Sequence, residues 1–263
     1  MEFKGKTALI TGAASGIGEA ISYQLAKRGT NVILTGLGPE ALDKVKNKCI
    51  TKYGVKAEFM EINLADTSTL DKLYDFVNSL HVNIDIFILN AGISQRAKVF
   101  ETDFSVDKKI MDIDYFGSVY LIKKFKDMLM ASKYTAIGVT VSISGLFGYP
   151  LRSAYCASKH ALFGFFESLE LENPNLHVTF MIPGRVNTQI SKSAMLGNGE
   201  KYDKMDPGQA HGIDVNKCAE KAVKAIAKGK HRKLLGSTEL LMVYIHKYFL
   251  GLYYKLARKV SAV

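Results

Sequence analysis

The sequence has few cysteines, no long apolar run and no recognisable targeting segment. No apolar stretch reaches the ~18 residues that a membrane-spanning helix needs. The N-terminus lacks the charged, apolar and small-residue zones of a secretory signal. Because the three cysteines form no Cys-x-x-Cys pair, we expect no thiol-redox motif, zinc ribbon or other metal site; they are Cys49, Cys156 and Cys218. These absences predict a reduced, cytoplasmic setting.

The remaining composition is that of a folded protein with one sizeable core. Of the 263 residues, 48% are hydrophobic and 23% are charged, which excludes disorder, collagen and disulfide scaffolds. The net charge of +10 is concentrated at one end, since residues 215–263 contain eleven basic and two acidic side chains. We therefore expect a nearly neutral body with a basic C-terminal end.

Strand-like and helix-like segments alternate along the chain. The run at 84–89 is almost continuously apolar, as expected for a strand that is covered on both faces. No Pro/Ser-rich linker or internal repeat divides the chain. The pattern predicts a single α/β domain over residues 1–263, with a doubly wound, Rossmann-like parallel sheet of about seven strands and helices on both faces. The predicted strands are 7–11, 31–35, 57–62, 84–89, 135–142, 176–182 and, more weakly, 233–236.

A glycine-rich turn follows the first predicted strand and opens the first predicted helix. Residues 11–18 read TGAASGIG. Glycines at such a junction permit a tight turn and close approach to a pyrophosphate, and the helix N-terminus presents free N–H groups to phosphate. An ordinary tight turn is the alternative, but the strand–turn–helix context favours dinucleotide binding. The residues assigned to the cofactor here are Gly12, Ser15, Gly16, Ile17 and Gly18.

A tyrosine and a lysine stand four residues apart in a later predicted helix. Tyr155 and Lys159 therefore share one face of that helix, and Ser142 lies thirteen residues before the tyrosine, near the end of a predicted strand. Free tyrosine titrates near pH ~10, but a neighbouring ammonium favours phenolate, as a proton relay at neutral pH requires. Ser142 can hold a substrate oxygen beside the phenol. Such a pair also occurs by chance on exposed helices, so its meaning depends on the other motifs.

Together these motifs resemble those of the short-chain dehydrogenase/reductase family. The resemblance rests on TGxxxGxG at 11–18, LNAG at 89–92, the segment 141–169 around YCASK, and PGRVNT at 183–188. It implies that Tyr155 is the catalytic acid/base. It also implies that Lys159 tunes this tyrosine and binds the nicotinamide ribose, and that Ser142 orients the carbonyl or hydroxyl of the substrate.

One catalytic position departs from the family pattern. Asp114 stands where family enzymes commonly have an asparagine that holds a water linking the lysine to solvent. A carboxylate can also bind that water, but it adds a negative charge near Lys159. We therefore place Asp114 in the predicted catalytic set, in a proton relay of altered charge.

The resemblance also assigns residues to the rest of the cofactor. It implies that Asn90 props the sheet near the adenine, that the amide oxygen of Asn63 accepts a hydrogen bond from the adenine amino group, and that Val186 and Thr188 grip the nicotinamide carboxamide. Beyond the glycine turn, the predicted cofactor-binding residues are Gly36, Leu37, Asn63, Leu64, Asn90, Ala91, Gly92, Tyr155, Lys159, Pro183, Gly184, Val186 and Thr188.

The end of the second predicted strand bears on the choice of cofactor. NAD enzymes usually have an acid there to bind the ribose hydroxyls, but residues 35–38 read TGLG and no acid precedes Glu40. An NADP enzyme would more often have arginine at 36 or 37 or a basic residue at 15, where this chain has Leu37 and Ser15. Because the missing carboxylate removes repulsion of a 2′-phosphate, we favour NADP(H) over NAD(H).

Two later segments are assigned to the substrate and the surroundings. Residues 187–214 form a long polar connection, which predicts a substrate lid; the predicted substrate contacts are Ser142, Tyr155, Met195, Leu196 and Met205. Residues 238–260 are predicted as an apolar, basic C-terminal helix, suited to a membrane interface, the substrate pocket or a neighbouring subunit. Both segments resemble an orphan, largely membrane-associated subgroup of the family, some of whose members reduce steroid or retinoid carbonyls.

Two functions fit these motifs. The first is an NAD(P)(H)-dependent oxidoreductase that transfers hydride between the cofactor and an alcohol or carbonyl carbon of an apolar small molecule, steroid-, retinoid- or lipid-like. The second is a non-catalytic dinucleotide sensor that retains the fold. No nucleic-acid partner is expected, since no RNA or DNA motif appears in the basic end. Family analogy predicts a homodimer or homotetramer, located in the cytoplasm or in peripheral contact with a membrane.

Overall fold

A computed structural model describes residues 2–259, and within them seven strands form one sheet. They are β1 Thr7–Thr11, β2 Asn31–Gly36, β3 Ala57–Glu61, β4 Ile86–Leu89, β5 Thr135–Thr140, β6 Leu176–Pro183 and β7 Arg232–Leu235. The strand order is β3-β2-β1-β4-β5-β6-β7, and every neighbouring pair is parallel. The order reverses between β1 and β4, so a crevice opens beyond the carboxyl ends of these two strands.

Helices connect the strands in sequence. The described α-helices are α1 Gly16–Ala26, α2 Pro39–Tyr53, α3 Thr67–Ser79, α4 Phe104–Met111, α5 Gly117–Lys124, α6 Lys126–Ala131, α7 Ser153–Glu172, α8 Pro207–Ala210, α9 Val215–Ala227, α10 Leu241–Tyr248 and α11 Leu250–Ala257. A π-helical segment, Asp112–Phe116, joins α4 to α5. Such local widenings of a helix are often found at functional sites.

Side chains that alternate along β1 divide the core into two layers. Ala8 and Ile10 lie in one buried cluster with side chains of α1, α2 and α9, whereas Leu9 lies in another with side chains of α3, α5 and α7. The two clusters cover opposite faces of the sheet, which explains why the strands are apolar without alternation. The predicted Rossmann-like α/β fold, with helices on both faces, is confirmed.

The predicted continuous helix over 238–260 is wrong. The structure has two short helices instead, α10 and α11, separated at Phe249, whose φ of −135° and ψ of 61° are not helical. The break lets Tyr253 turn back towards the body, where its hydroxyl donates a hydrogen bond to the Gly148 carbonyl. Residue 260, the last of the predicted helix, lies outside the described residues.

The two C-terminal helices have a buried and an exposed side. On the buried side, Tyr253 and Ala257 form a cluster with Phe147, and Met242 of α10 packs against it. The exposed side carries large apolar and aromatic side chains, namely Leu241, Tyr244, Tyr248, Phe249, Leu250, Leu252 and Tyr254. No helix within residues 2–259 is long and apolar enough to cross a membrane.

Candidate active site

The glycine-rich turn lies at the carboxyl end of β1, where the chain must pass close to its neighbours. Gly12 has a φ of 67°, and a Cβ on it would lie 2.9 Å from the Ala91 Cα. A Cβ on Gly18 would lie only 2.1 Å from the Gly12 carbonyl oxygen. Glycine is therefore required at both positions by the backbone itself. The Ser15 side chain makes no capping hydrogen bond to α1, which leaves the N–H groups of the first helical turn available for an anion.

Asn90 joins the ends of three strands beneath this turn. Its side-chain amide donates to the Thr11 carbonyl at 3.3 Å, and its amide oxygen accepts a hydrogen bond from the Thr140 hydroxyl at 3.1 Å. The Thr11 hydroxyl in turn accepts the Asn90 backbone N–H at 2.9 Å. These contacts fix the spacing of β1, β4 and β5 at their carboxyl ends, where the crevice opens.

A cleft of about 580 Å³ follows the crevice. Most of the residues assigned to the cofactor from the sequence line it, and so does the whole predicted Ser–Tyr–Lys set. They are Gly12, Ser15, Gly16, Ile17, Gly36, Leu37, Asn63, Leu64, Asn90, Ala91, Gly92, Ser142, Tyr155, Lys159, Pro183, Gly184, Val186 and Thr188. Gly18 and Asp114 lie just behind the walls, against the glycine turn and Lys159 respectively.

The adenine end of this cleft differs from the sequence expectation in two details. The Asn63 amide oxygen already accepts the Ala65 backbone N–H at 3.1 Å, so only its second lone pair is available to a ligand. Glu61, at the end of β3, accepts the Gly38 N–H at 2.9 Å and brings a carboxylate to the end of β2. The sequence of β2 alone does not show this acid, because parallel pairing brings it there from the neighbouring strand, where Glu61 pairs with Gly36.

Ser142, Tyr155 and Lys159 meet at the other end of the cleft. Tyr155 and Lys159 lie in the first two turns of α7 and are both buried, with the Lys159 ammonium 5.6 Å from the centre of the tyrosine ring. Ser142 lies two residues beyond β5, where its hydroxyl accepts the Ser144 N–H at 3.2 Å. Lys159 also donates to the Thr140 carbonyl at 3.5 Å. A phenol, an ammonium and a hydroxyl therefore line the same cleft.

Asp114 is the direct partner of Lys159. It lies in the π-helical segment, fully buried, with its Oδ2 3.2 Å from the ammonium. The Ser158 hydroxyl donates to the same oxygen at 3.3 Å, and the Ile93 N–H donates to Oδ1 at 2.8 Å. The carboxylate is thus an ion-pair partner held by two further donors.

Burial and pairing act in opposite directions on these two groups. Burial raises the pKa of Asp114 above its ordinary value, although Lys159 and the two other donors partly offset this effect. Burial lowers the pKa of Lys159, but the attraction of Asp114 and Tyr155 outweighs it, so the pKa of Lys159 is raised overall. The lysine therefore keeps its ammonium charge throughout the neutral range.

Residues 187–214, which we predicted as a substrate lid, supply part of the cleft lining, but the apolar contacts differ from those expected. Gln209 of α8 donates hydrogen bonds to the Val186 carbonyl and the Thr188 hydroxyl. Of the five predicted substrate contacts, Ser142 and Tyr155 line the cleft, whereas the three apolar ones, Met195, Leu196 and Met205, are not among the residues that line the described cavities. Met195 pairs with the Ser94–Arg96 backbone through two 2.8 Å hydrogen bonds and is buried beside Val106, away from the cleft.

Four functional candidates in or beside the site were missed from the sequence. Arg96 and Arg152 line the cleft, and both guanidinium groups contact the carboxylate of Asp206 in the lid, at 3.2 and 3.5 Å. Gln209 is the fourth. Arg152 lies three residues before Tyr155, at the non-helical N-cap of α7, and this closeness in sequence was the available signal. Arg96 and Asp206 are 110 residues apart, so no local pattern connects them.

A second cavity of about 420 Å³ adjoins the serine. It shares Ser142 and Arg152 with the cleft and is closed on its far side by Phe147, Tyr149 and Met242. Its lining is mixed: the apolar side is formed by Ile143, Phe147, Tyr149 and Met242, and the polar side carries Arg152, Arg185, Asp206 and Glu239. Because Met242 belongs to α10, the C-terminal helices form part of this wall, which was one of the alternatives left open by the sequence.

The residues present fit a nicotinamide dinucleotide. The glycine turn accommodates no side chain at Gly12 or Gly18, the N-terminus of α1 is uncapped by Ser15, and the cleft extends from there to the Tyr–Lys pair. The turn and the start of α1 would hold the pyrophosphate, and Lys159 the nicotinamide ribose. When bound, the nicotinamide supplies or accepts the hydride.

Comparison with known proteins agrees with this arrangement. The family model for short chain dehydrogenase matches residues 6–198. A "Dehydrogenase/reductase SDR family protein 7-like" of Anopheles gambiae is 36% identical over 237 residues, covering 88% of this chain and 75% of the relative. The "Dehydrogenase/reductase SDR family member 7" of Homo sapiens is 30% identical over 246 residues, covering 91% and 73%.

Solved structures show the same fold. A short chain dehydrogenase/reductase from Burkholderia phymatum in complex with NAD aligns with a TM-score of 0.84 at 20% identity, over 96% of each chain. A short-chain dehydrogenase from Sphingobium yanoikuyae in complex with NADPH aligns with a TM-score of 0.78 at 20% identity, over 97% of this chain and 96% of the other. From the sequence match and the fold together, the chain belongs to the short-chain dehydrogenase/reductase family, whose enzymes are oxidoreductases of CH–OH and C=O groups.

Proposed function

We propose that this protein is an NAD(P)(H)-dependent oxidoreductase that interconverts a carbonyl and an alcohol on an apolar small molecule. The observation that carries the proposal is that Ser142, Tyr155 and Lys159 all line the cleft that begins at the glycine turn. A hydride donor in that cleft and a proton donor at Tyr155 would approach the same carbonyl group.

Each member of the set has a separate role. The Tyr155 hydroxyl transfers the proton to or from the substrate oxygen, and Ser142 donates a hydrogen bond to that oxygen. Lys159 stabilises negative charge on the phenol, because its ammonium is 5.6 Å from the ring and is held in place by Asp114. Asp114 touches neither reacting group directly and is a positioning residue.

Tyr155→Phe tests this assignment. We expect turnover to fall at least ~100-fold, as removal of a general acid/base commonly does, while the dissociation constant for the cofactor changes less than about threefold. Turnover is measured as NADPH and NADH consumption against steroid, retinoid, quinone and sugar carbonyls. Tyr120→Phe is the matched control, since that hydroxyl binds Asp71 outside the cleft.

Two outcomes would contradict the proposal. Full activity in Tyr155→Phe would exclude the tyrosine as the proton donor. Tight cofactor binding by the wild-type protein without turnover of any carbonyl would favour the alternative, a dinucleotide sensor.

For the cofactor we propose a preference for NADP(H). Leu37 occupies the corner at the end of β2 and is largely exposed, so no carboxylate on that strand opposes a 2′-phosphate. The nearby Glu61 carboxylate is engaged by the Gly38 N–H. We expect NADPH to bind more tightly than NADH, and Leu37→Arg to increase that preference about tenfold by adding a cation beside the phosphate. Tighter binding of NADH by the wild-type protein would refute it.

For the surroundings we propose that residues 187–214 act as the lid and that the C-terminal helices contact a membrane from the cytoplasmic side. The exposed apolar and aromatic side chains of α10 and α11, flanked by lysines, support membrane contact. Sedimentation with anionic vesicles, with and without residues 238–263, tests membrane contact. Equal sedimentation of both forms would contradict it.

We also propose that the protein is a homodimer or homotetramer, which sedimentation velocity tests. A monomer at all concentrations would contradict this proposal.

A further inference from the structure

Two arginines in the active-site wall share a single acidic partner. Arg96 follows β4 and Arg152 immediately precedes α7, so they reach the cleft from different parts of the chain. Both contact only one oxygen of Asp206, the Oδ2, at 3.2 and 3.5 Å. The other oxygen, Oδ1, accepts the backbone N–H of Gly208, 2.8 Å away, at the start of α8. One carboxylate therefore faces two guanidinium groups.

The cluster is short of hydrogen-bond acceptors as well as of negative charge. The Nε atoms of Arg96 and Arg152 are buried and, among the described residues, have no hydrogen-bond partner. The Arg152 guanidinium makes one hydrogen bond within residues 2–259, the long one to Asp206. Burial and the repulsion of Arg152 lower the pKa of Arg96 to about 10, against the opposing effect of Asp206. Buried cations normally have fuller compensation than this.

The other charged groups nearby do not supply the missing charge. Glu239 lies in the wall of the adjoining cavity, but its Oε1 accepts the backbone N–H groups of Arg185 and Ser237. Lys192 and Lys201, which also line the cleft, add further positive charge, and Asp203 is the acid beside them. The excess positive charge is thus a property of the substrate end of the site.

Arg152 lies where a substrate could use it. It lines both the cleft that contains Tyr155 and the adjoining cavity closed by Phe147 and Met242, and its side chain is 18% exposed. Arg152 is the N-cap residue of α7, with a non-helical φ of −140°, and Tyr155 follows in the first turn of the helix, so both side chains reach the same cleft. A molecule with its carbonyl at the phenol can therefore reach the guanidinium with a group a few bonds away.

From this arrangement we propose that the substrate is an apolar oxo- or hydroxy-carboxylic acid whose carboxylate binds Arg152 beside Arg96. The carboxylate completes the coordination that Asp206 leaves unfinished, and the apolar chain lies in the cavity beyond Ser142. The inference rests on the proposed oxidoreductase function and narrows its substrate class from apolar carbonyl compounds in general to those that carry an anionic group.

Binding of matched acids and esters tests this proposal without turnover. We would titrate 4-oxo-, 6-oxo- and 9-oxodecanoate and their methyl esters into the full-length protein saturated with NADP⁺, by calorimetry. The oxidised cofactor prevents reduction and keeps the cofactor phosphates constant in every titration. At least one acid is expected to bind about 10- to 100-fold more tightly than its ester, as a charge-assisted hydrogen bond to a buried arginine implies.

Three variants give the test its specificity. Arg152→Gln is expected to abolish the preference for the acid and to leave ester binding within twofold, whereas Arg232→Gln, on the surface at β7, should change neither. Asp206→Asn removes the competing charge but keeps the oxygen that caps α8, so it should tighten binding of the acid. A purely structural cluster would give the opposite result for Asp206→Asn, since the lid would be weakened.

Several results would overturn the proposal. They are equal binding of acids and esters by the wild-type protein, no binding of any acid, equal losses for acid and ester in Arg152→Gln, or weaker acid binding in Asp206→Asn. If Arg152→Gln does not fold, the Asp206→Asn result decides alone. Failure of the oxidoreductase function would be distinguished by a preference for the acid that persists although the wild-type protein reduces no carbonyl.

Discussion

Replacing Asp114 with asparagine should destabilise the protein far more than the same change two residues earlier. Asp114 and Lys159 form an ion pair in which both side chains are at most 4% exposed. Asp112, in the same π-helical segment, pairs with Lys108, and those side chains are 30% and 65% exposed. The two substitutions are identical in chemistry and differ in burial, so their comparison isolates the contribution of the buried pair.

The expected loss follows from what Asp114→Asn would leave behind. The new amide oxygen can still accept the Ile93 N–H, but no negative charge remains beside the buried ammonium of Lys159. Breaking a buried pair by removing one partner costs about 3–5 kcal/mol. Because an uncharged side chain avoids the burial penalty that raises the pKa of Asp114, we expect the low end, about 3 kcal/mol in the free energy of unfolding. The exposed Asp112→Asn should change it by less than about 1 kcal/mol.

The pH dependence of stability gives a second, independent test of the buried pair. In the wild type the pKa of Lys159 is raised, so its stabilising contribution is present below the unfolded pKa of ~10.4 and lost only above it. In Asp114→Asn, burial would lower the pKa of Lys159 below that value, so the unfolded chain would bind more protons and stability would increase with pH. The difference in the free energy of unfolding between the wild type and Asp114→Asn should therefore become smaller from pH 7 to pH 10.

Urea unfolding of the wild type and both variants across this pH range measures all of these quantities. Two results would refute the reasoning: a loss of unfolding free energy in Asp114→Asn as small as that in Asp112→Asn, or a loss in Asp114→Asn that stays constant with pH. In the first case the buried carboxylate would be dispensable. In the second case, the loss of the Asp114 carboxylate would not change the pKa of Lys159.

Three further predictions test other contacts. Gly18→Ala should destabilise the protein by at least about 2 kcal/mol and weaken dinucleotide binding, because its Cβ would lie 2.1 Å from a backbone oxygen. The control, Gly164→Ala, replaces a helical glycine with open space around it and should stabilise the protein by about 0.5–1 kcal/mol. Equal effects of the two variants in urea unfolding would contradict this prediction. Tyr253→Phe should cost about 1 kcal/mol through its lost hydrogen bond to the Gly148 carbonyl, unlike Tyr254→Phe at an exposed site, as measured by thermal unfolding. Gln209→Ala should raise the cofactor dissociation constant about fivefold, because α8 loses its hydrogen bonds to Val186 and Thr188. An unchanged dissociation constant would contradict this and show that α8 does not contribute to cofactor binding.

The fold was predictable because the signals for it are local. Each strand of a doubly wound sheet is buried on both faces, so runs such as β4 are apolar throughout and stand out between amphipathic helices. The glycine turn and the Tyr–Lys spacing are local as well: Gly12 and Gly18 face each other across one turn, and Tyr155 and Lys159 across another. A pattern contained in one element can be read without knowing what packs against it.

The substrate end of the site depends on contacts between distant segments, and the apolar residues expected there from the lid sequence do not line the cleft. Met195 was expected in the cleft because it lies in the lid and is apolar, but its backbone pairs with the segment after β4, which turns the side chain into the core. The same pairing brings Arg96 beside Asp206. The apolar character expected of the substrate wall is supplied by α10, through Met242.

The Arg–Asp–Arg cluster shows why this error matters for function. A substrate class inferred from the lid sequence alone would be uncharged, because the lid offered methionine and leucine. The folded chain instead places two guanidinium groups in the cleft that Tyr155 lines, and both contact one carboxylate. Buried cations need compensating negative charge and hydrogen-bond acceptors, and Asp206 supplies one carboxylate for two guanidinium groups. Substrate recognition in this protein is therefore to be sought in charge as well as in apolar fit, and the acid–ester comparison is the experiment that separates the two.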